Sequence, residues 1–216
     1  MKYEIKYKPA YSLLVVQLSI GESLTAEAGA MTYMQPTLDV KTHQREKGFW
    51  GTLGMTLVGG QSFFINDFTA TAGSGEAAFS SAPLGDIEML DVRPDKGFII
   101  QKAAYVASQQ GVPLDIQWQG LTKGLFGQGL FIIKVSGAGP LVINTFVAIH
   151  TLIAGEKLIA DNHLLVAFSD TCQYKVIKFG GSKRDTITGT VEKGRGCVFP
   201  EPQQNRNILD TQVWFF

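Results

Sequence analysis

Apolar residues in this chain recur at period two or in short β-branched and aromatic runs, and helical periodicity is almost absent. That pattern restricts the fold more than any other feature. Period two suits a strand with one buried face, whereas an amphipathic helix needs repeats near 3.6. Tyr3, Ile5 and Tyr7 alternate with Glu4, Lys6 and Lys8. Leu13–Leu18, Ser62–Asp67, Gly97–Ile100, Leu130–Val135, Leu141–Ile143, Leu164–Phe168 and Tyr174–Phe179 read as further strands. Such residues fit a pleated, half-buried surface. Lys102–Gln110 could pass for a short helix but reads better as a strand. Turn signals separate these runs at Gly59-Gly60, Gly73-Ser74-Gly75, Pro94-Asp95, Gly111-Val112-Pro113, Gly137-Ala138-Gly139-Pro140, Gly155-Glu156 and Gly180-Gly181. Many short strands at near-even spacing predict an all-β sandwich or barrel.

Two motifs recur. Ile20–Glu27 (IGESLTAE) matches Ala154–Asp161 (AGEKLIAD), sharing Gly, Glu, Leu and Ala, with Asp161 at the place of Glu27. Phe64–Ala70 (FINDFTA) matches Val142–Ala148 (VINTFVA), and each copy follows a Gly-rich stretch. Lys96–Lys102 (KGFIIQK) reads as a weaker third copy of the first motif. The residues that carry the repeats are Gly21, Glu22, Leu24, Glu27, Asn66, Asn144, Gly155, Glu156, Leu158 and Asp161. The expectation is a single domain over residues 1–216 built of about three pseudo-repeated β-sandwich units, roughly 1–88, 89–149 and 150–216. The Gly-Glu pairs at 21–22 and 155–156 read as turns between strands.

Composition excludes several functions. At 216 residues the chain is long enough to bury a core without metals or disulfides. Lys plus Arg equals Asp plus Glu at 19 each, which argues against a dedicated nucleic-acid or anionic-membrane binder. The basic residues near aromatics at Lys2–Lys8, Lys41–Trp50 and Lys175–Arg184 are interspersed with acids. The two cysteines, Cys172 and Cys197, make no disulfide framework and no four-ligand zinc site; the sequence leaves open whether they pair, and two free thiols in a reducing cytosol are the plainer expectation. Near the N-terminus the only apolar run is Leu13–Val16, too short for the ~7–15 residues of an export signal. No segment reaches the roughly 20 residues of a spanning helix. A cytoplasmic location is the expectation.

Catalytic motifs are missing. There is no P-loop, no dinucleotide-binding glycine fingerprint and no G-x-S-x-G elbow. The histidines are His43, His150 and His163, and no H-x-H pair exists. His150, Glu156 and His163 are the best candidates for a metal, which needs three or four convergent ligands. They read more simply as strand or turn residues, and His43, in KTHQREKG, as part of a charged surface loop. Asp86, Glu88, Asp91 and Asp95 could supply paired carboxylates, but their alternation with Ile87 and Met89 fits a strand with one wet face. No catalytic residue, cofactor or metal is expected.

Two Gly-spaced apolar segments point to an interface instead. Phe49, Trp50, Leu53, Met55 and Leu57 sit among glycines, as do Leu121, Leu125, Phe126 and Leu130. Exposed apolar patches usually mark association surfaces, and closed homo-oligomers are the common way to cover them. Phe49, Trp50, Leu53, Leu125 and Phe126 are the interface candidates. A membrane contact is the less favoured alternative.

G-E-S-L-T-A-E-A-G-A-M-T-Y-M at 21–34 resembles the signature of a widespread family whose eukaryotic members are called altered inheritance of mitochondria, or mitochondrial biogenesis, proteins. The Gly-rich approach to F-F-I-N at 63–66, G-L-F-G-Q-G-L-F at 124–131, S-G-A-G at 136–139 and A-G-E-K-L-I-A-D at 154–161 fit as well, so that the resemblance covers about residues 1–185. It implies repeated β-sandwich units similar to the tryptophan RNA-binding attenuation protein, assembled as a trimer. It implies no reaction and supplies no catalytic residues. Family members end in a Gly-Glu-Gly stretch, a Gly-Pro-Gly turn and a final strand. Here Gly194-Arg195-Gly196 echoes the first element, and the sequence departs from about Cys197. Pro200, Pro202 and Gln203–Asn207 read as a loop or tail, and Val213–Phe216 as a strand or docking segment.

The functional expectation is a non-enzymatic oligomeric scaffold or binding protein, a homotrimer with no cofactor. The alternatives are a small-molecule or nucleic-acid binder using an inter-subunit groove, and a cryptic hydrolase or metalloenzyme.

Overall fold

The structure is a computed structural model that describes residues 1–44, 64–80, 85–119, 130–145, 149–151, 157–161, 165–178, 185–190 and 212–215. Among the described residues the regular structure is nearly all strand. In order these are β1 (Lys2–Lys6), β2 (Leu13–Leu18), β3 (Ser23–Glu27), β4 (Met31–Met34), β5 (Leu38–Gln44), β6 (Phe64–Ala70) and β7 (Gly75–Phe79). There follow β8 (Asp86–Val92), β9 (Phe98–Gln101), β10 (Tyr105–Gln109), β11 (Leu114–Gln119), β12 (Leu130–Val135) and β13 (Gly139–Thr145). The last are β14 (Ile149–Thr151), β15 (Lys157–Asp161), β16 (Leu165–Ser169), β17 (Gln173–Lys178), β18 (Asp185–Thr190) and β19 (Gln212–Phe215). A 3-10 turn, Lys102–Ala104, precedes β10, so the Lys102–Gln110 stretch is part turn and part strand.

Among the described residues the strands form four antiparallel sheets, ordered β1-β2-β7-β4, β5-β6-β3-β10-β13-β8, β11-β12-β9-β16-β19-β14 and β15-β18-β17. One pairing scheme runs through them. With β1 set aside, each successive group of six strands pairs its first, sixth and third (β2-β7-β4, β8-β13-β10, β14-β19-β16) and its second, fifth and fourth (β3-β6-β5, β9-β12-β11, β15-β18-β17). Groups join where the second strand of one meets the third strand of the next, β3 with β10 and β9 with β16.

Local irregularities repeat with the strands. The third strand of each group carries a register shift, at 31/33, 105/107 and 165/167, spacings of 74 and then 60 residues. The turn after it is closed by the same backbone bond each time. Leu38 N–H donates to Gln35 O at 3.1 Å, Val112 to Gln109 at 3.2 Å and Cys172 to Ser169 at 3.1 Å. Leu38, Val112 and Cys172 are all buried beneath these turns. Bulges kink a strand and raise its twist, so a bulge at one place in each unit bends each sheet alike.

Sequence motifs fall on this scheme unevenly. Ile20–Glu27 and Ala154–Asp161 run into β3 and β15, and Lys96–Lys102 contains β9, the second strands of the three groups. Their 134-residue offset is the sum of the two bulge spacings. Phe64–Ala70 is β6, a fifth strand, whereas Val142–Ala148 begins in β13, a sixth strand, so this match does not join equivalent positions. A division at 88/89 would fall inside β8.

Two apolar clusters hold the sheets together. One packs Leu14, Val16 and Leu18 of β2, with Phe79, against Leu24, Phe68 and Val142 of the second sheet. The other packs Ile65, Leu90, Leu141 and Ile143 against Phe98, Ile100, Ile133 and Val166 of the third. The second sheet is therefore covered on both faces. That explains β8, where Ile87 belongs to the first cluster and Leu90 and Val92 to the second, while Met89 is exposed. The alternation therefore breaks at Met89, and the buried positions change parity from Ile87 to Leu90 and Val92.

Three sequence readings change. Tyr7 does not continue β1; it lies beyond the strand, 70% exposed, at φ 64°. His43 is not in a surface loop but in β5, because β5 pairs along its length with β6. Cys172 is not a free thiol but stands in a disulfide, and the other cysteine of the chain, Cys197, lies outside the described residues. Linear spacing carries no information on which turn a cysteine closes, which is why the thiols looked free.

Candidate functional site

A polar seam crosses the second sheet from core to solvent. The register places Ser108 of β10 beside Thr25 of β3, Thr25 beside Asp67 of β6, and Asp67 beside Lys41 of β5. At the inner end the Tyr105 hydroxyl donates to the Thr25 carbonyl at 3.1 Å and lies 3.0 Å from Ser108 Oγ. Thr25 Oγ1 donates to Asp67 Oδ1 at 2.6 Å, and His43 Nε2 meets Asp67 Oδ2 at 3.2 Å. Ser23 and Thr69 share a hydroxyl bond of 2.7 Å one pair further along. Ser108 and Thr25 are buried and His43 is half exposed. Buried hydroxyls need partners, and alternate positions on neighbouring strands supply them.

The order of this seam limits its chemistry. A hydrolytic triad needs the imidazole between nucleophile and carboxylate, so that the base can take the hydroxyl proton. Here the carboxylate of Asp67 stands between Thr25 and His43. The Thr25 proton is directed to Asp67, and His43 reaches no hydroxyl through this network. The seam orients β5 on β6 and tethers one ring of the exposed histidine.

The second notable feature is the outer edge of β4. It pairs with β7 on one side and ends its sheet on the other. Met31 and Tyr33 are 43% and 42% exposed. The equivalent residues Tyr105 and Ala107 of β10, and Leu165 and Ala167 of β16, are buried, because each of those strands lies inside a six-stranded sheet. The Tyr33 hydroxyl donates to Glu76 at 2.8 Å, and that bond to a carboxylate, with burial second, holds its phenol above the ordinary tyrosine range. Thr32 and Ser80 share a hydroxyl bond of 2.9 Å. The side chains of β4 are thus tied to β7, while among the described residues no strand pairs with its outer edge.

The residues singled out in the sequence are not gathered into one site. Gly21 forms a turn at φ 82°, where a side chain would be strained. Glu22 accepts from the Ser19 amide at 2.8 Å and from the Met1 ammonium, and the ammonium contact, followed by the amide, holds its carboxyl below the usual range. Leu24 is in the core, and Glu27 accepts from the Gly29 amide at 2.7 Å. Asn66 lies opposite Ala26 and Thr42, and Asn144 is fully buried in β13 opposite Ile87. Leu158 and Asp161 lie in β15 opposite Gly189 and Thr186. Gly155, Glu156 and the interface candidates Phe49, Trp50, Leu53, Leu125 and Phe126 lie outside the described residues, as does His163. His150 is in β14 opposite Val213.

The acidic group of β8 is tied to the N-terminal segment. Ser12 Oγ donates to Asp86 at 2.7 Å, and Lys8 bridges Asp86 and Glu88. Among the described residues no group of three or more His, Cys, Asp or Glu converges as a metal site, and no helix is long and apolar enough to cross a membrane. Neither the seam nor the β4 edge was anticipated. The M-T-Y-M run between Gly29 and Pro36 was the available signal for the edge.

Comparison with known proteins follows this architecture. A crystallised Streptococcus pyogenes protein, determined as a structural genomics target, superposes with a TM-score of 0.73, covering 99% of this chain and 92% of its own. At 20% identity it is similar in fold alone. No curated protein matches the chain. The family model of mitochondrial biogenesis AIM24 matches residues 3–199. That match takes in all three groups of strands up to β18, and the chain belongs to the mitochondrial biogenesis AIM24 family.

Proposed function

We propose that this protein is a non-enzymatic oligomeric scaffold or binding protein. One observation carries the reading: among the described residues no strand covers the outer edge of β4, which displays Met31 and Tyr33, while both strands equivalent to it are buried inside continuous sheets. An exposed strand edge with apolar side chains is a template for pairing with another chain. The order of the Thr25–Asp67–His43 seam supports the non-enzymatic part. A homotrimer in the cytoplasm is the specific form proposed, with the Gly-rich segments around Trp50 and Phe126 adding to the contacts. The Cys172 disulfide pulls against a reducing compartment, so the thiol state of protein taken from cells bears on location. Light scattering across a range of concentrations tests assembly. A stable multiple of the 23.5 kDa chain mass is expected, and a single-chain mass at every concentration would overturn the reading.

A further inference from the structure

We infer that β4 of one chain pairs with β15 of a second copy, antiparallel, with Tyr33 opposite Ala160, Met34 opposite Ile159 and Gln35 opposite Leu158. This rests on the oligomeric reading above and names the surface and the partner. The argument is the twice-repeated junction within the chain. In the first, Ala26, Thr25 and Leu24 of β3 face Ala107, Ser108 and Gln109 of β10. In the second, Ile100, Ile99 and Phe98 of β9 face Ala167, Phe168 and Ser169 of β16. The 74- and 60-residue steps between the bulges carry one junction onto the other on both strands. Each junction uses the second strand of a unit and the third strand of the next.

Among the described residues, two strands of those kinds have no such partner. β15 is the second strand of the last unit and ends the three-stranded sheet; β4 is the third strand of the first unit and ends the four-stranded sheet. The same steps map Ala26 to Ala160 and Tyr33 to Ala107, which fixes the register. It agrees with the match of SLTAE in β3 to KLIAD in β15. The pairing would continue an existing interface and place β4 inside a sheet, as β10 and β16 already are. Within one chain the two edges belong to separate sheets and Tyr33 remains exposed, so the occupant is another copy. Such a contact is head-to-tail, which closes into a ring when the rotation per chain permits. Strand addition draws its affinity from main-chain hydrogen bonds and its register from alternate side chains.

The test mixes two tagged forms of the full chain, one Tyr33→Cys and one Ala160→Cys, under mild oxidation, and maps the linked peptides by mass spectrometry. Directly opposed residues stand about 4.5–5.5 Å apart between Cα atoms, within disulfide range. A 33–160 link between differently tagged chains is expected, with little linking when Tyr33→Cys is mixed with a chain carrying Lys157→Cys. Separately, Tyr33→Lys puts a charge on the edge and is expected to lower the light-scattering mass to one chain without changing the circular dichroism spectrum. A 33–160 link only within single chains of a Tyr33→Cys/Ala160→Cys double variant would overturn the inference in favour of self-closure. An oligomer whose mass survives Tyr33→Lys and that gives no 33–160 link would overturn it while leaving the scaffold reading standing. A wild-type monomer at all concentrations would overturn both.

Discussion

The ring of Phe68 in β6 meets the ring of Phe79 in β7 edge-on, with centroids 5.0 Å apart and planes at 80°. The contact joins the fifth strand of the first unit to its sixth, and hence the second sheet to the first. Both rings are fully buried. Removing a buried phenyl ring costs about 3–5 kcal/mol. Phe68→Ala and Phe79→Ala should each lose that much in denaturant melts. Their double variant should lose less than the sum of the singles, since edge-on ring pairs couple by about 0.5–1.5 kcal/mol.

Gly75 and Gly139 open the sixth strands of the first two units, and each lies against the buried residue of its unit's third-to-fourth-strand turn. A Cβ on Gly75 would stand 2.6 Å from Leu38 Cδ2 and would also clash with Thr37 Oγ1. One on Gly139 would stand 3.2 Å from Val112 Cγ2, at a φ of 138° that already disfavours a side chain. Both Gly→Ala changes should lower the thermal midpoint. Overpacking of this kind costs about 1–3 kcal/mol, and an unshifted Gly75→Ala melt would refute the close approach.

Asp67 accepts the Thr25 hydroxyl proton at a site where Thr25 is 7% exposed. Asp67→Ala should cost about 1–3 kcal/mol by leaving that hydroxyl without its acceptor. Adding Thr25→Val should recover part of the loss, and a double-variant cycle in urea measures it.

Tyr3 is half buried beside the negative Glu22, and burial first, with that charge second, pushes its phenol from 10.0 up to about 12. The folded state therefore holds the proton more tightly than the unfolded chain. The resulting stabilisation is complete below pH 10 and is lost as the pH rises through 10 towards 12. Absorbance titration at alkaline pH should show one fewer late-titrating tyrosine in Tyr3→Phe than in the wild type. Tyr3→Phe should also flatten the loss of stability over that interval.

Cys172 fills the turn position that Leu38 and Val112 fill in the other units, and it is disulfide-bonded. Thiol titration of denatured, unreduced protein should find Cys172 blocked. Reduction should cost about 2–4 kcal/mol, the ordinary contribution of a disulfide.

Strong apolar runs were legible as strands, two of them to the residue and the others with shifted ends. Leu13–Leu18 and Leu130–Val135 are β2 and β12 as read. Polar strands were not. β5 reads LDVKTHQ, whose charges and histidine suggest a loop, and it becomes a strand because β6 pairs with it from Leu38 to Gln44. The end of the chain departs from the family pattern, yet Gln212–Phe215 form β19, paired between β14 and β16 as the sixth strand of the third group. The polar seam was illegible for the same reason: Thr25 and Asp67 are 42 residues apart and meet only across a sheet.

Local chemistry determined the all-β class, the positions of the glycine turns and the recurrence of the second-strand motif, since alternation and turn preference act between near neighbours. Pairing decided the rest. Which strands lie inside a sheet, which edge stays open at Met31–Met34, and what state Cys172 adopts all depend on partners far away in sequence. A strand's own residues define its two faces, but burial and register belong to the neighbour that covers it.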